Sequence, residues 1–304
     1  MHSKRLAAIL IAVGLIIVIG GCQTGKQSMT NTYSDDLELS EAALPKYSVG
    51  EFFAFDDGTT SVVTAVSNEQ VGWRYNNGVT STGYRNFILP ALLWKSASSR
   101  SEATSNATSD MLWPLATGNR GQYQSYQAIT RDDQAGSTQL SRQWYCSVEG
   151  AKRVSVPAGS FDTYVIACER YSSTSHSWRA TRRYYYAPDL GHYVIREDKY
   201  RNRPGRTRQL VAYGFNSTFL PKQDQISLNR MLQKTLSNNP DGVVSTWTSK
   251  PGDITAKLVP VSSYAGSNGR QCRDYQSVYS VKGRVHKNER RVCRQPEGRW
   301  QRVN

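Results

Sequence analysis

The sequence predicts a mainly β protein: a large antiparallel β-domain (sandwich or open barrel), a connector helix, and a small disulfide-stapled C-terminal β-domain. Three observations carry this reading. Aromatic residues are abundant, with 18 Tyr and 7 Trp among 304 residues, and aromatic side chains suit pleated, half-buried surfaces. From Tyr47 onward apolar residues recur with period two, as in Val62, Thr64, Val66 and again in Val71, Trp73, Tyr75, which puts them on one face of a strand. Helical spacing is found at Asp224 to Leu236, where Ile226, Met231, Leu232 and Leu236 fall near one face and Asn238-Asn239-Pro240-Asp241-Gly242 stops the run.

The chain opens with a different kind of segment. Lys4 and Arg5 precede 14 almost wholly apolar residues, Leu6 to Ile19, and then Gly20-Gly21-Cys22. A basic start, an apolar stretch and small residues at the cut define a secretory signal, and the run is short of the roughly 20 residues that span a bilayer. Cys after Gly-Gly resembles a bacterial lipobox, which implies a signal peptide over 1–21 and acyl chains on Cys22. Several acyl chains anchor durably where one does not, at about 0.8 kcal/mol per buried methylene. Gln23 follows the cysteine where lipoproteins retained at the inner membrane often resemble Cys-Asp, so the expected address is the outer membrane, on either face. The polar stretch 22–45 reads as a flexible tether.

The β-domain is expected over 46–220. Asp56-Asp57-Gly58 and Asn77-Gly78 mark tight turns, the second a type I′ hairpin signal. Residues Ser96 to Asp110, rich in Ser, Ala and Thr, read as a loop closed by the apolar patch Leu112-Trp113-Pro114-Leu115. Strands resume over Gln122 to Arg131 and Ser137 to Val148, around Asp132-Asp133-Gln134-Ala135-Gly136. Arg153 to Phe161 reads as strand, turn and strand start, continuing to Cys168. A further hairpin brackets Ala187-Pro188-Asp189-Leu190-Gly191. The basic tip Arg201-Asn202-Arg203-Pro204-Gly205-Arg206-Thr207-Arg208 makes Arg201, Arg203, Arg206 and Arg208 candidate anion contacts. The helix, taken as a connector over 221–240, leads into the C-terminal domain over 241–304.

Cysteine count and charge bound the rest. With Cys22 lipidated, four cysteines remain, Cys146 and Cys168 separated by 22 positions and Cys272 and Cys293 by 21. In an oxidising compartment two local disulfides, Cys146–Cys168 and Cys272–Cys293, are the economical reading, each contributing roughly 3 kcal/mol through loop closure. The rival is a metal site, but no close Cys pair with zinc spacing occurs, and neither metal nor cofactor is expected. Formal charge is −2 over 1–140, +7 over 141–220 and +9 over 221–304. A basic half in the envelope points to anionic neighbours such as lipopolysaccharide, peptidoglycan carboxylates or extracellular nucleic acid, or to a merely solvated surface; no specific nucleic acid is expected.

Trp247, Gly252, Pro260, Cys272-Arg273-Asp274-Tyr275, Gly283 and Cys293-Arg294-Gln295-Pro296-Glu297-Gly298-Arg299-Trp300 together resemble the C-terminal domain of the seventeen-kilodalton surface antigen family of bacterial outer-membrane lipoproteins. The resemblance covers about 240–304. It implies a small β-domain on a lipoprotein, with antigenic exposure and no known catalysis. The glycine-zipper segment often found in members is replaced here by the long β-domain, so membrane insertion is not implied. Alternation turns Arg273 and Arg294 to the face opposite their cysteines, where they are candidates for a paired anion site or for ion pairs with Asp274 or Glu289.

Function then divides three ways. The expected one is a non-enzymatic outer-membrane lipoprotein, an envelope structural or interaction module held to the membrane through Cys22, with an anionic envelope polymer or another envelope protein as partner. The alternative is a periplasmic binding module for an amphiphile, glycan or peptidoglycan, which would need an apolar cavity of roughly 300 Å³ or more within the β-domain. A hydrolase is not expected: no Gly-x-Ser-x-Gly elbow occurs, His176, His192 and His286 lie in ordinary strand or turn contexts, and Asp56-Asp57 and Asp132-Asp133 belong to turns.

Overall fold

The computed structural model describes residues 37–250, 252–266 and 269–303. The signal segment 1–21, Cys22 and the first part of the tether therefore lie outside the described residues. The end of the tether is not free: Ala42 is buried and bridges Leu115, and Leu39 and Leu44 pack on the same core. These apolar side chains, spaced through an otherwise polar stretch, give residues 37–45 a reason to stay on the domain.

Twelve antiparallel strands follow one another around a closed barrel. They are β1 (Glu51–Phe55), β2 (Thr60–Val66), β3 (Gln70–Tyr75), β4 (Thr80–Tyr84), β5 (Leu93–Lys95), β6 (Ser99–Ser105), β7 (Arg120–Arg131), β8 (Ser137–Val156), β9 (Gly159–Ser172), β10 (Trp178–Ala187), β11 (His192–Tyr200) and β12 (Arg206–Phe215). Each strand pairs with the next, and β1 returns to β12 in the register Glu51↔Phe215. Closure, rather than a sandwich or an open barrel, goes with register shifts in the pairings of β1, β2, β8 and β10. Such bulges sharpen twist and curl a sheet onto itself.

The turns at Gly58 and Gly78 are built alike. Gly58 N–H donates to Phe55 O and Gly78 N–H to Tyr75 O, and each glycine has a positive φ of 80° and 83°. Asn77 does not, so the second turn is a type I turn closed by a left-handed glycine and not the expected type I′. Residues 99–105, read as loop, form β6. Ser101 and Ala103 alternate inward there and pair along β7. Strand β8 runs on through a bulge at Val148/Gly150 to Val156, and β12 begins at Arg206, inside the expected basic tip.

Twelve strands enclose more space than aliphatic side chains alone fill. Rings from Tyr47, Phe53, Trp73, Phe87, Tyr186, His192 and Tyr193 pack together inside, with Phe53 stacked on His192 at 4.0 Å between centroids. The segment after β6 joins this core through Leu112, Trp113 and Leu115, the apolar patch expected to pack there. Asn86, fully buried, holds it by donating to Met111 O.

Beyond β12 a 17-residue helix, α1 (Lys222–Asn238), lies on a second sheet of β13 (Ser245–Thr248), β14 (Ile254–Ala265), β15 (Gln271–Val281), β16 (Arg284–Arg294) and β17 (Trp300–Arg302), in sequential order. Leu228, Met231, Leu232 and Leu236 make the buried stripe, against Trp247, Leu258, Tyr275, Tyr279 and Trp300. Ile226 is exposed, and Leu228 takes its place two residues on. The helix thus does more than connect: it supplies one wall of the C-terminal core.

Candidate functional site

Alternation places a row of arginines from β10, β11 and β12 on the inner side of one barrel end. Arg182 stands opposite Asp198, Arg206 also faces Asp198, and Arg196 stands directly opposite Arg208. Asp198 accepts from Arg182 Nε at 2.7 Å and from Arg196 Nη2 at 2.8 Å, with Arg206 Nε at 3.5 Å. Burial opposes ionisation of Asp198, but the flanking guanidiniums of Arg182 and Arg196 outweigh it and hold the carboxyl at about 2.

Of the basic tip, then, only part is free for outside anions. Arg208 turns inward, lies over the rings of Phe55 and Tyr193 and donates to the Tyr193 hydroxyl. Arg206 is tied loosely to Asp198. Arg201 and Arg203 are exposed, with Arg203 stacked 3.6 Å over Tyr200.

A groove of about 990 Å³ runs over the outer face of β8 to β12. Tyr145, half-exposed, stands at its wall beside Tyr171, and Arg183 is held between Glu149 at 3.0 Å and Glu197 at 3.7 Å. On that outer face three basic residues (Arg120, Arg183, Lys199) meet three acidic ones (Glu149, Glu169, Glu197), and the ion-paired Arg206 and Asp198 border its end, so it offers a polar, charge-balanced surface and not a polyanion track. The barrel interior holds a smaller chamber of about 240 Å³.

In the C-terminal sheet the two candidate arginines part company. Arg273 is buried: its Nη1 donates to Leu236 O at 2.5 Å, and its Nη2 to Asn239 O at 2.8 Å and Asp241 Oδ1 at 2.7 Å. It therefore caps the carbonyl end of α1, which leaves orphan acceptors and carries negative partial charge. Arg294 is exposed and its Nε donates to Gly298 O. The two do not form a paired anion site; the partner of Asp274 is Arg291, at 3.0 Å. Basic charge is instead displayed along β16, β17 and the turn between them, where Lys287, Arg290, Arg291, Arg294, Arg299 and Arg302 are exposed, with Glu289 and Glu297 among them.

Both disulfides join residues directly opposite on neighbouring strands. Cys146 bonds Cys168 between β8 and β9, and Cys272 bonds Cys293 between β15 and β16, each with Cα atoms 4.0 Å apart.

One residue that the sequence reading passed over ties the two sheets together. Glu51, at the start of β1, is fully buried. It accepts from Arg284 Nε at 2.8 Å and Nη2 at 2.5 Å, from Ser48 N–H at 2.6 Å, and lies 3.1 Å from His286 Nε2. Nothing around Val49-Gly50-Glu51 in the sequence signals a partner 233 positions away; only a charged residue opening an apolar strand was visible. Buried Glu51 occupies His286, and Tyr47 shares a 2.9 Å hydrogen bond with His192 Nδ1. Burial, with Arg208 and Arg284 nearby, keeps His192 neutral by lowering its pKa far below the usual value. Both turn carboxylates accept backbone hydrogen bonds, Asp57 locally from Thr59 N–H and Asp56 from Gln209 N–H, 153 positions away on β12. Among the described residues no group of three His, Cys, Asp or Glu side chains is placed to hold a metal ion.

The geometry defines a closed, aromatic-filled β-barrel bearing a small disulfide-linked sheet with a basic edge. Residues 234–301, within that sheet and the end of α1, match the family described as 17 kDa outer membrane surface antigen. The 17 kDa surface antigen of Rickettsia prowazekii (strain Madrid E) is 31% identical over 83 residues, 27% of this chain and 52% of that one. That of Rickettsia conorii (strain ATCC VR-613 / Malish 7) is 29% identical over 85 residues, 28% of this chain and 54% of that one. The chain thus spans about half the length of the curated relatives it matches. Among solved structures, the hypothetical lipoprotein YmcC of Escherichia coli (K12) aligns with 53% of this chain and 82% of its own, at 11% identity and a TM-score of 0.38. That likeness is too distant to support an inference about this chain.

Proposed function

We propose that the chain is a non-enzymatic protein of the bacterial envelope, lipid-anchored at Cys22 in the outer membrane, that serves as an interaction module. Its surface-antigen-like sheet presents the basic edge of β16 and β17 to anionic envelope polymers, lipopolysaccharide or peptidoglycan. The observation that carries this is the coincidence of two features: the segment matching the surface antigen family, 234–301, also holds all of the exposed basic row but Arg302. The barrel, fixed to that sheet through Glu51, acts as its rigid base.

Two measurements test the reading. Cells fed radiolabelled palmitate should label the wild-type chain in the outer-membrane fraction and leave Cys22→Ser unlabelled. Label retained in the variant, or a wild-type chain found in the soluble fraction, would remove the anchor. For the basic edge, replacing Arg290, Arg294 and Arg302 by Glu should cut salt-sensitive co-sedimentation with lipopolysaccharide and with purified sacculi. Unchanged co-sedimentation would sink the interaction surface.

The charge-balanced groove with Tyr145 at its wall favours a second reading, a glycan bound along β8 to β12, because neutral polar polymers need paired donors and acceptors more than net charge. Loss of glycan retention in Tyr145→Ala, with the triple β16/β17 variant unaffected, would select it.

A further inference from the structure

The chamber inside the barrel is unlike the groove. None of its lining side chains is acidic, and three guanidiniums converge on it. Trp73, Phe87 and Tyr193 line it together with Arg182, Arg196 and Arg208, and Thr59, Tyr75 and Ala91, all half-buried, also border it.

The charges there do not balance. Arg196 and Arg208 are cross-strand partners, with side chains only 15% and 13% exposed. Like charges directly opposite in a sheet repel, the more so when water is largely excluded. Asp198 is shared between Arg182, Arg196 and Arg206, while Asp57 approaches Arg208 only to 4.0 Å. The Nε atoms of both Arg196 and Arg208 are buried without a hydrogen-bond partner among the described residues. Nearby, Arg142 and Arg170 have lowered pKa values, through burial first and then through neighbouring guanidiniums, Arg182 among them in both cases. A barrel that only needed filling would gain by apolar residues here. Crowded guanidiniums beside aromatic rings instead suit an oxyanion carried on a flat apolar body, since Arg donates bidentately to carboxylate or phosphate and aromatic faces take the rest.

We propose that this chamber binds a small organic anion, its carboxylate or phosphate between Arg196 and Arg208 and its apolar body against Trp73, Phe87 and Tyr193. The volume of about 240 Å³ sets the scale, because a cavity of roughly 150 Å³ takes up benzene. A single ring with one oxyanion fits; a lipid chain does not. The site is separate from the basic edge of the C-terminal sheet and stands or falls without it.

The test uses the full-length chain, purified without anionic detergent, and tryptophan fluorescence with calorimetry. Benzoate and phenyl phosphate are the probes, benzyl alcohol the neutral counterpart. Expected is saturable binding of at least one anion, about tenfold or more tighter than benzyl alcohol, with the preferred anion distinguishing carboxylate from phosphate. Arg208→Gln should lose that preference while still taking up benzyl alcohol, which shows the chamber is intact. Arg100→Gln, at an exposed position of β6, should behave as wild type. Equal binding of benzoate, phenyl phosphate and benzyl alcohol, no binding of either anion, or full anion affinity in Arg208→Gln would each overturn the proposal. Should Arg208→Gln fail to fold, Arg196→Gln read in the same way decides it.

Discussion

Asp198 is surrounded by Arg182, Arg196 and Arg206 with 3% of its side chain exposed. Its folded pKa of about 2 lies below the ordinary value of 3.8, so its ionised form favours the fold. That stability is fully present above about pH 4 and is lost as pH falls toward 2; the difference is worth about 2 kcal/mol. Asp198→Asn is expected to lower stability at pH 7 by roughly 3–5 kcal/mol, since it leaves buried guanidiniums unpaired, and to flatten the decline between pH 4 and 2. Urea melts of both proteins across that range check it; an unchanged acid limb would show that other carboxylates set it. Arg273 is the contrary lesson. A Cys-Arg pair on a strand reads as surface charge, yet the helix that covers the sheet ends above it, and the guanidinium is consumed by carbonyls.

At the scale of elements, the Cys272–Cys293 bond holds β15 to β16 at the end of the module where the core is smallest, a cluster of Tyr275, Val292, Trp300 and Leu236. Cys272→Ser should cost about 3 kcal/mol and loosen β15 to β17 before the barrel. Hydrogen exchange followed segment by segment would show it, and uniform loss of protection in both sheets would contradict it. Much at this scale was legible in the sequence. Period-two strands, the glycine turns at Gly58 and Gly78, the helix over α1, and the partners of both disulfides follow from spacing. Strand β6 was not, because Ser101 and Ala103 are small and polar or weakly apolar, and only their pairing with β7 gives them a strand's role. Barrel closure was hidden for a different reason: alternation looks the same in a sandwich, and β1 meets β12 only across the length of the domain. The inward turn of Arg208 depends on where β12 begins, which a run of Arg, Pro and Gly does not disclose.

For the whole molecule, Glu51 joins the barrel to the C-terminal sheet through Arg284 and His286, beside the contact of Phe215 with Tyr279. Outward positions on β8 to β11 carry Glu149, Glu169, Arg183, Glu197 and Lys199, while rings fill the inside, the reverse of a barrel facing lipid. The fold is therefore stabilised from within and at its seam. Glu51→Ala leaves Arg284 and His286 buried without their carboxylate, an expected loss of roughly 3–5 kcal/mol. Calorimetry is then expected to resolve two transitions in the variant and one in the wild type; a single transition in the variant would mean that Phe215 and Tyr279 suffice as the joint. The partners of Glu51, Arg284 and His286, lie 233 and 235 positions further along the chain, so the seam that begins at the first barrel strand closes only when β16 is in place, and a chain truncated before β16 is expected to leave it open.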